Sequence, residues 1–391
     1  MNERTRSIYQ DSSRVRRFLT VMLLSGLAYG LYKGIQDNYL AELVRINEFE
    51  RGIVEFFREL PGLLLIFILA TMYRFSETKV LKLGTAITLA GTLGLLLVGT
   101  GKILVVFFMV IYSLGEHIVM PVKSTISLHL AKSGKGGASL GATSAISHGG
   151  NIVGYLLVTS LFFLFPRIGI PKESDTGYKL IFSLATALLI GATLVALAMQ
   201  DHGNAVRRSR LYFSRKFGKY YGLEIFYGAR KQVFLTFAPY VLILHYGANA
   251  SLISLLFAIC AIFGMLLSPL IGRLIDRLGY KAIMVADTLI LMVVCLFYGY
   301  SHRIFSHEVA FIVVCVNYVL DSIISLCSLA ASVYVQDIAE NQEEVTATLT
   351  TGISVNHLIS VIIALLGGLI WKKTGIEVLF TMSAILGLIN T

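Results

Sequence analysis

Long apolar runs alternate with short polar segments along almost the whole chain. A helix that spans a bilayer needs ~20 mostly apolar residues, and twelve runs are candidates for that role. Several are longer than a bilayer is thick, which predicts tilted helices or helix ends in water. The runs lie near residues 18–44, 51–73, 79–99, 103–130, 138–165, 178–199, 223–246, 250–271, 282–300, 307–335, 345–371 and 376–391. The pattern predicts an all-α membrane protein with twelve transmembrane helices.

Composition and charge placement agree with a membrane location. Only 14% of the residues are charged and 56% are hydrophobic, whereas soluble domains carry ~25% charged residues. If the N-terminus is cytoplasmic, nineteen Lys and Arg residues fall in inner segments and nine in outer ones. This bias predicts a multi-pass protein of the inner or plasma membrane with both termini in the cytoplasm. The net charge of +10 is therefore interpreted as a topology signal, and no nucleic-acid partner is predicted.

The longest basic polar segment comprises residues 201–222, and six apolar runs precede it and six follow it. It predicts four parts: a basic cytoplasmic N-terminus (1–17), a six-helix bundle (18–200), a cytoplasmic linker (201–222) and a second six-helix bundle (223–391). Aromatic residues are interleaved with the basic residues of the linker. That composition favours an amphipathic helix lying on anionic lipid, and aromatic–basic binding of nucleic acid is the alternative.

A polar stretch from Gly272 to Lys281 separates two apolar runs. Gly272 and Gly279 would permit a sharp turn, and the charge of Asp276 can be paired with the flanking Arg273 and Arg277. The pattern G-x-L-x-D-R-x-G-x-K resembles the signature loop of the Major Facilitator Superfamily. The resemblance implies that the loop is cytoplasmic and that its charged residues latch the two halves together in one state of a transport cycle. The implied gating residues are Gly272, Asp276, Arg277, Gly279 and Lys281.

The corresponding stretch of the first half departs from this signature. Residues 70–79 lack the glycine and the Asp-Arg pair, so a strictly symmetrical latch is not implied. Histidines at matching places, His148 and His357, indicate a faint similarity between the halves. Two six-helix halves related by a pseudo-two-fold axis are how such transporters are built.

Several ionisable and polar residues lie inside the apolar runs. Each charge costs ~2.5–3.5 kcal/mol at a helix centre, so such residues are expected to face a cavity or a partner. The resemblance implies that the first, fourth, seventh and tenth helices line a central cavity, and most of the set lies on them. The predicted substrate and coupling residues are Lys33, Asp37, Arg58, Glu59, Glu116, His117, Lys123, His148, Asn151, Arg230, Lys231, Asn317, Asp321 and His357.

Structural ion pairs are the alternative explanation for these charges. Lys33 and Asp37 are four residues apart and share a helix face, as do Glu55 and Glu59 with Arg58 close to both. Arg230 and Lys231 could instead extend towards the membrane surface. Our hypothesis is that Glu116 or Asp37 carries the coupling proton, because a nearby cation can switch the protonation of a desolvated carboxyl group.

The chain has no P-loop, HExxH or GxSxG motif, and its four cysteines lie in apolar runs without metal-ligand spacing. We therefore expect no cofactor, no metal and no enzymatic activity. The prediction is a monomeric secondary transporter for a small polar or charged solute, coupled to protons. An anion or zwitterion held by Lys33, Lys123 and Arg230 is favoured. The alternatives are an exporter of drugs, amphiphiles or lipids with the same fold, and a membrane sensor that transports nothing.

Overall fold

The computed structural model describes residues 7–10, 13–72, 74–171, 174–201 and 212–390. These residues form fourteen α-helices joined by short turns. Nine helical segments among them are long and apolar enough to cross a membrane. Part of the predicted linker, residues 202–211, and part of the predicted N-terminus, residues 1–6, 11 and 12, lie outside the described residues.

The chain forms two compact units. The first unit comprises residues 1–44 and 64–208. A π-helical turn, Tyr39–Leu43, follows its first helix, and a 3-10 turn, Phe165–Ile168, precedes its last. Its helices are α1 (Ser13–Asn38), α3 (Leu65–Thr71), α4 (Glu77–Leu97), α5 (Lys102–Leu130), α6 (Gly136–Leu164) and α7 (Asp175–Leu197).

The second unit comprises residues 45–63 and 209–391, so it contains a helix from the early part of the chain. Two 3-10 turns, Arg215–Phe217 and Ser325–Ser328, interrupt its helices. The helices are α2 (Glu48–Leu63), α8 (Gly218–Tyr246), α9 (Ala250–Leu278), α10 (Tyr280–Ile304), α11 (His307–Ile324), α12 (Leu329–Ile338), α13 (Gln342–Thr374) and α14 (Ile376–Asn390).

Side-chain caps fix where several of these helices begin. Ser76 accepts a hydrogen bond from the backbone N–H of Lys79 at the start of α4. Asn249 does the same for Leu252 at the start of α9, and Asn341 for Glu344 at the start of α13. Each cap satisfies a backbone donor that the first helical turn would otherwise leave free. The polar residues between the apolar runs therefore set the helix boundaries.

Glycines allow α1 and α6 to approach each other closely in the first unit. A β-carbon on Gly30 would lie 2.3 Å from the carbonyl oxygen of Asn151, and one on Gly26 would lie 2.3 Å from that of Ser147. Such contacts leave no room for a side chain. Small residues are the usual means by which helices pack in a membrane, where the hydrophobic effect does not drive their association.

The same principle packs α2 against α13 in the second unit. A β-carbon on Gly52 would lie 2.4 Å from the carbonyl oxygen of Ala364, and the α-carbon of Gly368 is also within contact distance. Phe237 of α8 fills the neighbouring space, packing edge-on against Trp371 of α13. This contact explains why residues 45–63 group with the C-terminal part of the chain.

Several of the predicted spans differ from long uninterrupted apolar helices. The predicted span 307–335 is divided by the 3-10 turn Ser325–Ser328 into α11 and α12. The predicted span 51–73 consists of two helices, α2 and α3, because the helix is interrupted at Leu64, three residues after Pro61. The predicted span 223–246 is the end of a longer helix, α8, which begins at Gly218 and contains several charged residues. The last helix, α14, has 15 residues, which agrees with the short final run of the sequence.

The turn between α9 and α10 corrects one prediction. Gly272 lies inside α9, which continues to Leu278, and does not contribute to the turn. Gly279 alone makes it, with φ of 81°, a backbone conformation that a side chain would strain. Because the apolar run ends several residues before the helix does, the hydrophobic pattern placed the boundary too early.

Candidate functional site

A buried ion pair lies on α1 of the first unit, as predicted. Lys33 Nζ is 3.0 Å from Asp37 Oδ2, and the Asp37 side chain is fully buried whereas that of Lys33 is 22% exposed. The spacing of one helical turn places both groups on the same face. Asn38, the residue after Asp37, donates to Glu42 over 2.6 Å, and Tyr178 of α7 also donates to Glu42. Polar contacts therefore continue from α1 to α7.

The polar residues of α5 are held by their own helix. His117 Nδ1 lies 2.8 Å from the carbonyl oxygen of Ser113 and 3.1 Å from its hydroxyl. The contact with the carbonyl requires the proton to be on Nδ1, which leaves Nε2 as an acceptor in the neutral ring. Glu116 and Lys123 are both half-buried on the same helix. A stacked pair of rings, Tyr32 and Tyr112, with centroids 3.9 Å apart, joins α5 to α1.

The two predicted residues of α6 have different surroundings. His148 is exposed, and Asn151 is half-buried at the contact between α6 and α1. The side-chain nitrogen of Asn151 donates to the backbone carbonyl oxygen of Ser147 over 2.9 Å and to that of Gly26 over 3.0 Å. Asn151 therefore ties the two glycine-packed helices together, which is a structural contact that the sequence did not predict.

The second unit contains a charge cluster on α2, formed by Arg51, Glu55, Arg58 and Glu59. Arg51 Nη1 and Arg58 Nε each lie 2.9 Å from Glu55 Oε2, and Arg58 also forms an ion pair with Glu59. Glu55 and Glu59 are both buried. The predicted proximity of Arg58 to both carboxylates is therefore found. Arg51, which the charge count assigned to an outer loop, is instead buried within this cluster.

Side chains from two other helices of the second unit reach the α2 charge cluster. Gln232 of α8 donates from Nε2 to Glu55 over 3.2 Å. His357 of α13 lies 2.9 Å from Glu59, measured from Nδ1 to Oε2. Glu59 and His357 are 298 residues apart, so the sequence gave no indication that they meet. Both were predicted as site residues, but as members of different halves.

A second buried ion pair joins α8 to α11. Arg230 Nη1 lies 2.6 Å from Asp321 Oδ1, and the two side chains are 2% and 11% exposed. Arg230 Nη2 also lies 3.4 Å from the hydroxyl of Ser325. Asn317, one turn before Asp321, is buried as well. The structure thus brings together Arg230 and Asp321, which were predicted from two separate runs.

Lys231, next to Arg230, is half-buried. Its Nζ lies 5.9 Å from the centroid of the Tyr227 ring, and the guanidinium carbon of Arg230 lies 5.2 Å from the same centroid. Cations at such distances from an aromatic face are attracted by its quadrupole. Tyr227 therefore helps to hold both cations on α8.

The charged residues near the α9–α10 turn face outwards. Asp276, Arg273 and Arg277 are exposed, and in the part of the chain that the structure describes Asp276 forms no ion pair with either arginine. The gating role of this turn stays a prediction. In the first half, Tyr73 of the degenerate copy lies outside the described residues.

Comparisons with known proteins agree with this architecture. The profile of the Major Facilitator Superfamily matches residues 221–391. None of the curated protein sequences matches this chain. The nucleoside transporter NupG superimposes with a TM-score of 0.74 at 13% identity, over 97% of this chain and 97% of that one. A POT family transporter in complex with 5-aminolevulinic acid gives 0.75 at 13%, over 99% and 97%. The peptide transporter POT in complex with sulfate gives 0.72 at 13%, over 100% and 97%.

The predicted resemblance to the Major Facilitator Superfamily is therefore confirmed. The protein is an all-helical integral membrane protein with the fold of these transporters. Most buried charges of the described residues lie in the Lys33–Asp37 pair of the first unit, and in the α2 charge cluster and the Arg230–Asp321 pair of the second.

Proposed function

We propose that this protein is a secondary active transporter that moves a small polar or charged solute across the membrane by alternating access, coupled to protons. The proposal includes twelve transmembrane helices in two six-helix bundles. Both termini lie in the cytoplasm, and the protein is a monomer in the inner or plasma membrane. The Major Facilitator profile and the fold of the solved transporters support it.

One observation carries the proposal, namely the ionised groups buried inside apolar helices. Lys33 with Asp37 and Arg230 with Asp321 are buried pairs in a chain with very few charges. A helix that only has to pack in lipid has no need of them, since each charge is costly at membrane depth. Buried charges of both signs favour a solute that is itself polar or charged.

The neighbours suggest which solutes to test first. Solved structures with this fold are described as a nucleoside transporter, a peptide transporter and a POT family transporter in complex with 5-aminolevulinic acid. Peptides and 5-aminolevulinic acid both carry an amine and a carboxylate. A zwitterion of that kind could interact with Lys33 and Lys123 through its carboxylate and with Asp37 or Glu116 through its amine.

The first experiment is thermal stabilisation of the purified protein by nucleosides, dipeptides and 5-aminolevulinic acid at two pH values. A solute that binds the folded state raises Tm by mass action. The stabilising solute is then tested for uptake into proteoliposomes with an acidic exterior. We expect accumulation that collapses with the pH gradient and is lost in Lys33→Ala but kept in Lys135→Ala, a change at an exposed lysine of the same unit.

Two results would contradict the proposal. Stabilisation only by amphiphiles, with no effect of charged solutes, would favour an exporter of apolar compounds. Binding without any uptake, together with full function of Lys33→Ala in the cell, would favour a membrane sensor. Uptake that does not respond to the pH gradient would support the transport function but contradict the proposed coupling to protons.

A further inference from the structure

A second carboxyl group, that of Asp287, lies near the Arg230–Asp321 ion pair of the second unit. Arg230 of α8 is bound to Asp321 of α11, and Asp287 of α10 is close enough to interact electrostatically with both. Asp287 lies seven residues after the start of α10 at Tyr280, about 10 Å along the helix axis. One guanidinium thus lies among two carboxyl groups in an apolar helix bundle.

The two carboxyl groups are not equivalent. Asp321 accepts the hydrogen bond of Arg230, and the second nitrogen of the guanidinium is directed at Ser325. The Oδ1 atom of Asp287 is buried and has no hydrogen-bond partner among the residues that the structure describes. Asp287 as a whole is half-buried. An ionised carboxylate with one buried and unbonded oxygen is unfavourable, whereas the protonated form carries no charge to desolvate. This arrangement therefore favours a neutral Asp287.

Among the described residues, Lys231 is the other cation near this pair. It lies on the same helix as Arg230, acts electrostatically on Asp321 and is 5.9 Å from the centroid of the Tyr227 ring, whereas the charges that act on Asp287 are those of Arg230 and Asp321. On α14, a β-carbon placed on Gly387 would lie 3.9 Å from the Arg230 side chain, and Gly387 itself contributes no charge. Other titratable groups that interact with these charges among the described residues are three cysteines and a tyrosine: Cys260 of α9, Cys295 and Tyr298 of α10, and Cys327 of the 3-10 turn.

We infer that Asp287 is a proton-binding site and that Arg230 exchanges between Asp321 and Asp287 when the proton leaves. In the arrangement seen here Asp287 holds the proton and Arg230 holds Asp321. Loss of the proton breaks the O–H bond of Asp287, transfers the proton to water and leaves a second carboxylate that competes for the same guanidinium. No oxidation or reduction is involved, and one positive charge leaves the site for each proton released.

That this proton is the one coupled to transport rests on the proposed function. The hypothesis from the sequence placed the coupling proton on Asp37 or Glu116. Asp37 already forms an ion pair with Lys33, at 3.0 Å. The Lys33–Asp37 pair thus has one cation for one carboxylate, whereas Arg230 lies near both Asp321 and Asp287.

The direct test is an infrared pH titration of the full-length protein in lipid nanodiscs, following the C=O stretch of protonated carboxyl groups. We expect a protonated-carboxyl band at mildly acidic pH that disappears on alkalinisation and is absent in Asp287→Asn. Asp287→Glu should keep a band at a shifted frequency. The control Asp337→Asn, at an exposed position of the same unit, should leave the band unchanged.

The titration needs no transported solute, so it tests the site independently of the proposed function. Persistence of the band in Asp287→Asn, or its absence from the unaltered protein, would overturn the inference. Loss of the band on addition of Na⁺ at constant pH would also overturn it, because the site would then bind a metal cation in place of the proton.

A transport assay tests the link to coupling. With a solute identified as above, Asp287→Asn should abolish accumulation driven by a pH gradient while keeping solute exchange between the two sides at equal pH. Accumulation equal to that of the unaltered protein would overturn the coupling role. Absence of transport by the unaltered protein would instead refute the proposed function and leave the infrared result standing.

Discussion

Arg230 and Asp321, which are 91 residues apart, form a hydrogen-bonded ion pair of 2.6 Å inside the second unit. The pair joins α8 to α11 and is largely buried, since the Arg230 side chain is 2% exposed and that of Asp321 is 11% exposed. It is the contact on which both the proposed transport function and the inferred proton site depend. Its energetic role can be separated from its functional role by mutation.

Removal of one partner should destabilise the protein strongly. Arg230→Ala leaves Asp321 buried and unpaired, which we expect to cost about 3–5 kcal/mol of unfolding free energy. The matched change Lys231→Ala, at the half-buried neighbour, should cost less than about 1 kcal/mol. Reversible unfolding in mixed micelles measures both values. Equal losses in the two variants would contradict a special role for the Arg230–Asp321 pair.

Apolar replacement of both partners provides a second comparison. Arg230→Met combined with Asp321→Leu should recover most of the stability lost in Arg230→Ala, because no charge is left unpaired. Transport should nevertheless remain absent in the double variant. Recovered transport would show that the pair serves only the fold.

Glycine packing between α1 and α6 should be equally sensitive to a single methyl group. Gly30→Ala places a β-carbon 2.3 Å from a backbone carbonyl oxygen of the facing helix, so one helix must shift. We expect a loss of about 1–3 kcal/mol and a lower Tm. The control is Gly149→Ala on the facing helix, α6, where a β-carbon meets nothing within 4 Å. Similar Tm values for both variants would show that the helices do not approach this closely.

The two glycines near the α9–α10 turn should respond in opposite directions. Gly279 has φ of 81°, so Gly279→Ala forces a strained backbone that costs about 1–3 kcal/mol. Gly272 is helical with open space around it, and Gly272→Ala should be neutral or stabilising by up to about 1 kcal/mol. Thermal unfolding measures both changes. A strong loss in Gly272→Ala would indicate that the sequence-based expectation of a turn at both glycines was correct.

The short segment before α1 is anchored by a buried tyrosine. Tyr9 donates from its hydroxyl to the carbonyl oxygen of Ser139 over 2.6 Å and lies 2.9 Å from the hydroxyl of Thr143. Backbone hydrogen bonds also join this segment to the α5–α6 turn, from Gln10 to Leu130 and from Lys132 to Ile8.

Loss of the Tyr9 hydroxyl should therefore loosen this segment. We expect Tyr9→Phe to cost about 0.5–1.5 kcal/mol and to speed amide hydrogen exchange in residues 7–10. Gln10→Ala, which removes only a weak exposed contact of 3.5 Å, is the control. Unchanged exchange in Tyr9→Phe would mean that the backbone pairing alone holds the segment.

Some of the site could be predicted because it is local. Lys33 and Asp37 are one helical turn apart, and so are Glu55 and Glu59 with Arg58 between them, so the period of the helix alone places these groups on one face. The membrane class followed equally directly, because apolar runs of ~20 residues have few alternatives to a spanning helix.

Other contacts needed the folded chain. The grouping of residues 45–63 with the C-terminal helices, and with it the contact between Glu59 and His357, depends on glycine packing between α2 and α13. The position of Asp287 near Arg230 and Asp321 could likewise be known only from the folded structure. Asp287 looked like one more polar residue in an apolar run, and only the packing of α10 against α11 shows that two carboxyl groups share one guanidinium.

The sequence by itself determined the helices, the membrane setting and the charged residues that lie within helical turns, because hydrophobic runs and helical period act over short distances along the chain. The tertiary structure decided which charges from distant helices neutralise one another. These contacts depend on where glycines allow two helices to approach each other closely. The pattern of apolar and polar positions does not indicate which glycine packs against which backbone carbonyl group.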